Sequence, residues 1–160
     1  MSSLSLCRKA LAVGGLAGIF GLLPVSGAEP AKGQKAATPT EMLAFFDDTK
    51  GAVVNEWTDL NSDSQAWSKH TKDGYATVRN EGRVHSGADQ YQKAFKKKLP
   101  GMSVWCRTAE NEAAHKQNDV SLLKKGYVLV RLQAFVDSEG APRFQGLWVK
   151  VAEPPTDAAG

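Results

Sequence analysis

Between residues 126 and 150 the chain alternates with the period of a strand. Val128, Val130, Leu132, Ala134 and Val136 fall on one face, and Tyr127, Leu129, Arg131, Gln133 and Phe135 on the other. "DSEG" then turns the chain into "PRFQGLWVKV", which completes a C-terminal hairpin with its aliphatic face directed to the core. Upstream the period is helical. "TEMLAFFDDTKGAVVNEWTDL" spaces Met42, Leu43, Phe45 and Phe46, then Val53, Val54, Trp57 and Leu60, as an amphipathic helix interrupted near Gly51. "SDSQAWSKHTKDG" reads as a short helix capped by Ser62 or Asp63 and stopped by Gly74. "GYATVRNEGRV" follows as strand-like flanks around an "NEG" turn. "SGADQYQKAFKKKLPGM" places Tyr91, Ala94, Phe95 and Leu99 on one face of a further helix, ended by Pro100-Gly101. "MSVWCRT" is a strand, and "AENEAAHKQNDVSLLKKG" is ambiguous, helix-favouring at first and broken at Asn118-Asp119.

These elements predict an α+β domain, with helices packed on a mainly antiparallel sheet in helix-strand-strand units. An internal echo supports the units. "KDGYATVR" at 72–79 and "KKGYVLVR" at 124–131 share Lys, Gly, Tyr, Val and Arg in order, each where a helix hands over to a strand, and "LPGMSVW" is a looser third copy. Two explanations stand: the common chemistry of a helix-ending glycine, or a true repeat. Too few residues separate Gly101 from Gly126 for a complete hairpin and helix, so a full second copy is not expected.

Composition changes the picture at the N-terminus. Arg8 and Lys9, the apolar run "ALAVGGLAGIFGLLPV" and the small residues Ser26 and Ala28 predict a secretory signal over 1–28, cleaved near Ala28. The apolar run is short for a membrane span and no second candidate follows. Residues 29–39 read as a flexible linker, 40–152 as a single domain and 153–160 as a flexible tail. The expected destination is the periplasm or the outside of the cell. The whole chain has 20 Lys+Arg and 17 Asp+Glu; without Arg8 and Lys9 the balance falls to 18 against 17. That removes the basic excess nucleic-acid binding would need, and the run Lys96, Lys97, Lys98 reads as a solvated patch. Cys106 is left without an intramolecular partner once Cys7 leaves with the signal, and reads as a small buried hydrophobe.

No catalytic constellation emerges. His70, His85, His115, Asp63, Asp73 and Asp89 are the acid-base candidates, with His70 and Asp73 neighbours at i, i+3, but each histidine reads as a surface or capping residue. Histidine spacing and the lone cysteine do not suit a metal, and no cofactor motif is present. Trp57, Trp67, Trp105 and Trp148 read mainly as core. The functional alternative is a platform on the hairpin's mixed face, because Arg and aromatic residues together favour binding hot spots.

Two resemblances extend this reading. Gly126, Tyr127, Phe135, Gly140, Arg143, Phe144 and Trp148 resemble the bacterial tandem repeat of secreted proteins and of the non-catalytic region of polyglycine hydrolases, over residues 120–151. That resemblance implies a non-catalytic module engaging a protein, peptide or cell-envelope partner, with Tyr127, Arg131, Phe135, Arg143 and Trp148 as binding residues. Trp57, Asp63, Asp73, Gly82, Arg83 and Gly87 are similar in spacing to nuclear-transport-factor-like, SnoaL-type domains, with "NDVSLLKKGYVLV" as a long central strand. This second resemblance implies an interior pocket for a small apolar ligand, lined by Trp57, Asp63, His70, Asp73 and Trp105, with isomerase-, cyclase- or dehydratase-like chemistry. The residues favour the binding module.

Overall fold

The computed structural model describes residues 37–151. The predicted signal segment, residues 29–36 of the predicted linker and the C-terminal tail lie outside them, while Thr38 and Pro39, assigned to the linker, cap and open α1. The described chain runs α1 (Pro39–Asp47), β1 (Val53–Val54), α2 (Leu60–Lys72), β2 (Tyr75–His85), β3 (Ala88–Lys97), β4 (Met102–Glu110), α3 (Glu112–Lys124), β5 (Val128–Val136) and β6 (Pro142–Val151). The α+β class holds. The strands form two antiparallel three-stranded sheets, ordered β1-β3-β2 and β4-β6-β5.

Each sheet is built from the same unit: a leading strand, a helix, then a hairpin whose returning strand pairs with the leading one. The helices begin at 60 and 112 and end at 72 and 124, a constant offset of 52. Their N-caps Asp59 and Asn111 keep it, each side-chain oxygen accepting from the first turn. So do Gly74 and Gly126, which leave the helices at φ 78° and 81°, a region cheap only for glycine. The pairing repeats as well. Val53 and Val54 face Phe95 and Ala94, as Trp105 and Cys106 face Trp148 and Leu147. Thr58 bridges Tyr91 as Glu110 pairs with Phe144. Even the irregularity recurs: one β-bulge lies between Thr77 and Arg79, the other between Leu129 and Arg131.

A full second copy therefore exists, contrary to expectation: the stretch between Gly101 and Gly126 is indeed too short for one and holds only β4 and α3, but the complete copy lies before it, over residues 53–97. Its returning strand is made of residues the periodicity assigns to a helix, 88–97. "NEG" is not a turn but lies inside β2, and the chain reverses at Ser86-Gly87, where φ is 52° and 76° as a two-residue hairpin turn requires. Three smaller corrections concern helices. The stretch after Gly51 forms a two-residue strand instead of resuming a helix. Asp59, not Ser62 or Asp63, caps α2. Residues 118–124 belong to α3 and not to a long central strand.

The core joins the two units. Met42, Phe45 and Phe46 of α1 pack with Ala76, Val78 and Ala94 of the first sheet and Met102, Leu147 and Val149 of the second. Each helix also covers an aromatic of its own returning strand. His70 stacks on fully buried Phe95 at 4.3 Å, and His115 lies 5.4 Å from fully buried Trp148. Trp148 Nε1 donates to Asp119 Oδ1 of α3 at 2.8 Å, which meets the hydrogen-bonding need of a buried indole.

Candidate functional site

The contact between units sets which surfaces remain free. β2 is an edge strand, and it lies on the face of the second sheet that carries Gln133, Phe135 and Gln145. The Gln133 amide accepts from Gly82 N at 3.1 Å and donates to Gly82 O at 3.0 Å, so one side chain satisfies an edge position as a neighbouring strand would. Glycine is required at 82 because a Cβ there would collide with the Phe135 ring and the Gln145 amide. Tyr91 meets Phe135 edge-on at 6.0 Å. Asn80 donates to Arg107 O at 2.7 Å and to Cys106 Sγ at 3.3 Å. Burial pushes the Cys106 thiol up, away from the thiolate that a nucleophile needs.

Behind this contact sits a buried ion pair, Lys93 Nζ with Asp63 Oδ2, each residue about 98% or more enclosed. Lys93 also donates to Thr108 Oγ1 at 2.9 Å, tying the first unit to β4. Such a pair adds little net stability, but removing one partner strands the other charge in the interior.

The predicted binding residues do not form one platform. The bulge at Leu129/Arg131 divides the mixed face: Leu129 pairs with Trp148 beneath α3, whereas Arg131 pairs with Leu147 on the core side. Tyr127 sits with β4, its hydroxyl 2.9 Å from Ser103 Oγ and its ring against Trp105. Phe135 is spent on the unit-to-unit contact. Arg143 donates through Nε to Asp137 Oδ2 at 2.6 Å, and Trp148 is fully enclosed.

The pocket residues are equally dispersed. Trp57 lies under the Arg83 guanidinium at 4.0 Å, Asp63 is held by Lys93, and His70 stacks on Phe95 with Nε2 3.3 Å from Asn55 Oδ1. Asp73 is the exposed C-cap of α2, and Trp105 carries Arg107 over its ring at 4.7 Å. An open hollow of about 500 Å³ lies elsewhere, lined by Asn111, Glu112, Ala113, Lys116, Ala141, Pro142 and Arg143. A second hollow is bounded by Trp67, Thr71, Tyr75, Ala76, Thr77, Lys98 and Val104. His115 corrects the surface reading of the histidines: it is buried, stacked on Phe144 at 5.4 Å with Nδ1 3.5 Å from Glu110 Oε2. His85 is exposed. Among the described residues no group of His, Cys, Asp and Glu could hold a metal, and no helix is long and apolar enough to cross a membrane.

Of the aliphatic face expected in the core, Val130 packs against it, but the part after the bulge is open: Leu132 and Val136 are 48% and 60% exposed, and Ala134 between them is exposed too, while Val128, on the other side of the strand, is also exposed. α3 packs on the same sheet and adds exposed Val120 and Leu123. Alternation along β5 signals one apolar face but not which side of the sheet is covered, and the covered side is the one that receives β2.

Comparison with known proteins bears on the second unit alone. No curated protein and no solved structure gave a significant match. One family model does match, and its limits coincide with the N-cap of α3 and the end of β6. Residues 111–151, a helix and its hairpin, match the family described as "Polyglycine hydrolase-like, structural repeat".

Proposed function

We propose that this chain is an exported, non-catalytic interaction module of repeat type, which engages a protein, peptide or cell-envelope partner through the exposed side of β5. The observation that carries this reading is the doubled unit itself, in which the groups suited to acid-base work serve structure instead. Asp63 balances Lys93, His70 and His115 stack on core aromatics, and Asp89 accepts from Ser138 N at 2.7 Å. The exposed aliphatics of β5 form a surface of the kind that marks an interaction site on a soluble domain. The N-terminal pattern of residues 1–28 supports export.

The test is capture of a partner from periplasmic extract on the immobilised mature chain. Leu132→Lys with Val136→Lys should abolish capture and leave the melting temperature unchanged, while His70→Gln with Asp73→Asn should keep it. Capture that survives the β5 changes and is lost with the α2 pair would contradict the reading.

A further inference from the structure

Both long helices hand over to their strands at the same end of the molecule. In the first unit Gly74 leads from α2 into β2, whose first residue Tyr75 pairs with Lys97 at the end of β3. In the second, Gly126 leads from α3 toward β5, while Met102 at the start of β4 pairs with Val151 at the end of β6. Trp67 and Thr71 of α2 share a hollow with Val104 of β4, and Ser103 Oγ beside it meets the Tyr127 hydroxyl at 2.9 Å, so β4 links the two junctions.

This end is basic. Lys69, Lys72, Lys97, Lys124, Lys125 and Lys150 are all exposed there, and Asp73 is the carboxylate on the same junctions. The duplication sets the lysines out twice: Lys72 corresponds to Lys124, and Lys97 lies beside Gly74 as Lys150 lies beside Gly126. None of the six forms an ion pair among the described residues, whereas Lys93 and Lys116, outside this end, each sit against a carboxylate. The opposite end, with the helix N-caps and the hairpin turns, exposes Asp59, Glu112 and Glu139. A chain of nearly balanced charge is therefore polarised along its length. The helix dipole favours lysine at a helix C-terminus, and Lys97 Nζ donates to the Asp73 carbonyl there at 2.7 Å. The dipole does not account for the apolar surface among the lysines. Leu123 is 65% exposed and Val128 58%, on either side of Lys124 and Lys125.

We infer that this end of the domain docks on a bilayer surface carrying anionic phospholipid headgroups. Lipid phosphates complement unpaired lysines held near the surface. Leu123 and Val128 enter the interfacial layer between those lysines, as the apolar residues of membrane-surface elements do. A soluble polyanion would match the lysines and leave both aliphatic side chains in water. The chain leading in from the N-terminus joins at this end too: Ala37 N–H donates to Pro100 O at 3.2 Å, in the turn between β3 and β4, and Lys32 and Lys35 precede it in sequence. The surface is separate from Leu132, Ala134 and Val136, so the inference goes beyond the interaction-module reading and does not depend on it.

Co-sedimentation of the chain lacking residues 1–28 with vesicles tests this, using phosphatidylcholine alone or mixed with phosphatidylglycerol. Binding should require phosphatidylglycerol and weaken as salt rises. Lys124→Gln with Lys125→Gln and Lys150→Gln should lower it roughly tenfold or more, and Leu123→Ser with Val128→Ser should lower it several-fold. All five side chains are exposed, so both variants should keep the wild-type circular dichroism spectrum. Lys116→Gln, toward the opposite end of α3, should bind as wild type does. Absence of binding to the phosphatidylglycerol vesicles, or a loss in Lys116→Gln equal to that of the triple variant, overturns the inference. Binding that ignores the Leu123 and Val128 changes and is fully displaced by soluble polyphosphate also overturns it, in favour of a polyanion site.

Discussion

The outer strands β2 and β5 occupy the same place in two copies of one unit, yet the first is buried against the other unit at Gly82 and the second turns Leu132, Ala134 and Val136 to solvent. At Gly82 the missing Cβ lets Phe135 and Gln145 close in, and the Gln133 amide satisfies both backbone groups. At Ala134, the equivalent residue, a side chain points to solvent between exposed Leu132 and Val136. The polar content of the units differs in the same sense. The first unit buries Lys93, Asp63 and Asn80 toward its neighbour, where the second has Gly146, His115 and Leu132. A repeated backbone thus supports two surface chemistries: one specialised to hold a particular neighbour, and one left available.

The largest effect should come from breaking the buried pair on the sealed side. Lys93→Met leaves the Asp63 carboxylate stranded and should cost about 3–5 kcal/mol in urea unfolding. Adding Asp63→Leu should recover most of it. Recovery in the double variant separates a stranded charge from a mere change of packing.

Next in size is the glycine contrast. Gly82→Ala should cost about 1–3 kcal/mol by forcing Phe135 and Gln145 apart. Ala134→Gly should cost at most about 1 kcal/mol, the loss expected from added chain entropy alone. Equal losses at the two sites would erase the difference between the edges. Asp119→Ala, which removes the acceptor of the buried Trp148 indole, should cost about 1 kcal/mol.

The smallest effect concerns the turns. Asp137 accepts from the backbone N–H groups of Ala141 and Glu139 and from Arg143, and these bonds, Ala141 foremost, hold its carboxyl below the ordinary 3.8. A carboxylate with a lowered folded pKa stabilises the turn above about pH 3.8, and that contribution fades as pH falls through the folded value. Amide exchange near residues 137–143 should therefore rise in acid before exchange at the Ser86-Gly87 turn, which is formed without a carboxylate. Asp137→Asn should remove the difference.

The C-terminal hairpin, the β4 strand and the α+β class were legible in the sequence because their signals are local: alternation, a turn and a helix-stopping glycine. The misread parts are those where tertiary contacts override local pattern. β3 carries neighbouring buried residues, Lys93, Ala94 and Phe95, because α2 covers one face and α1 the other, so the two-residue period is lost and Tyr91, Ala94 and Phe95 imitate a helix. Gly82 looked like a turn residue, yet it is there to admit Phe135. Asn118 and Asp119 looked like a helix break, yet their side chains serve Glu110 and Trp148 from within α3. The "GYATVR" and "GYVLVR" echo was the correct pointer to duplication. The spacing between Gly101 and Gly126 argues against a full copy only because the first copy's hairpin, over 75–97, is hidden by the helical spacing of Tyr91, Ala94 and Phe95.

The duplication is tested most directly by nuclear magnetic resonance of residues 75–97 in the chain lacking residues 1–28. Strand-type chemical shifts over 88–97, with cross-strand proximities from Thr77 to Phe95 and from Arg79 to Ala94, should match those from Leu129 to Trp148 and from Arg131 to Leu147. Helical shifts between residues 88 and 97 would contradict the two-copy architecture.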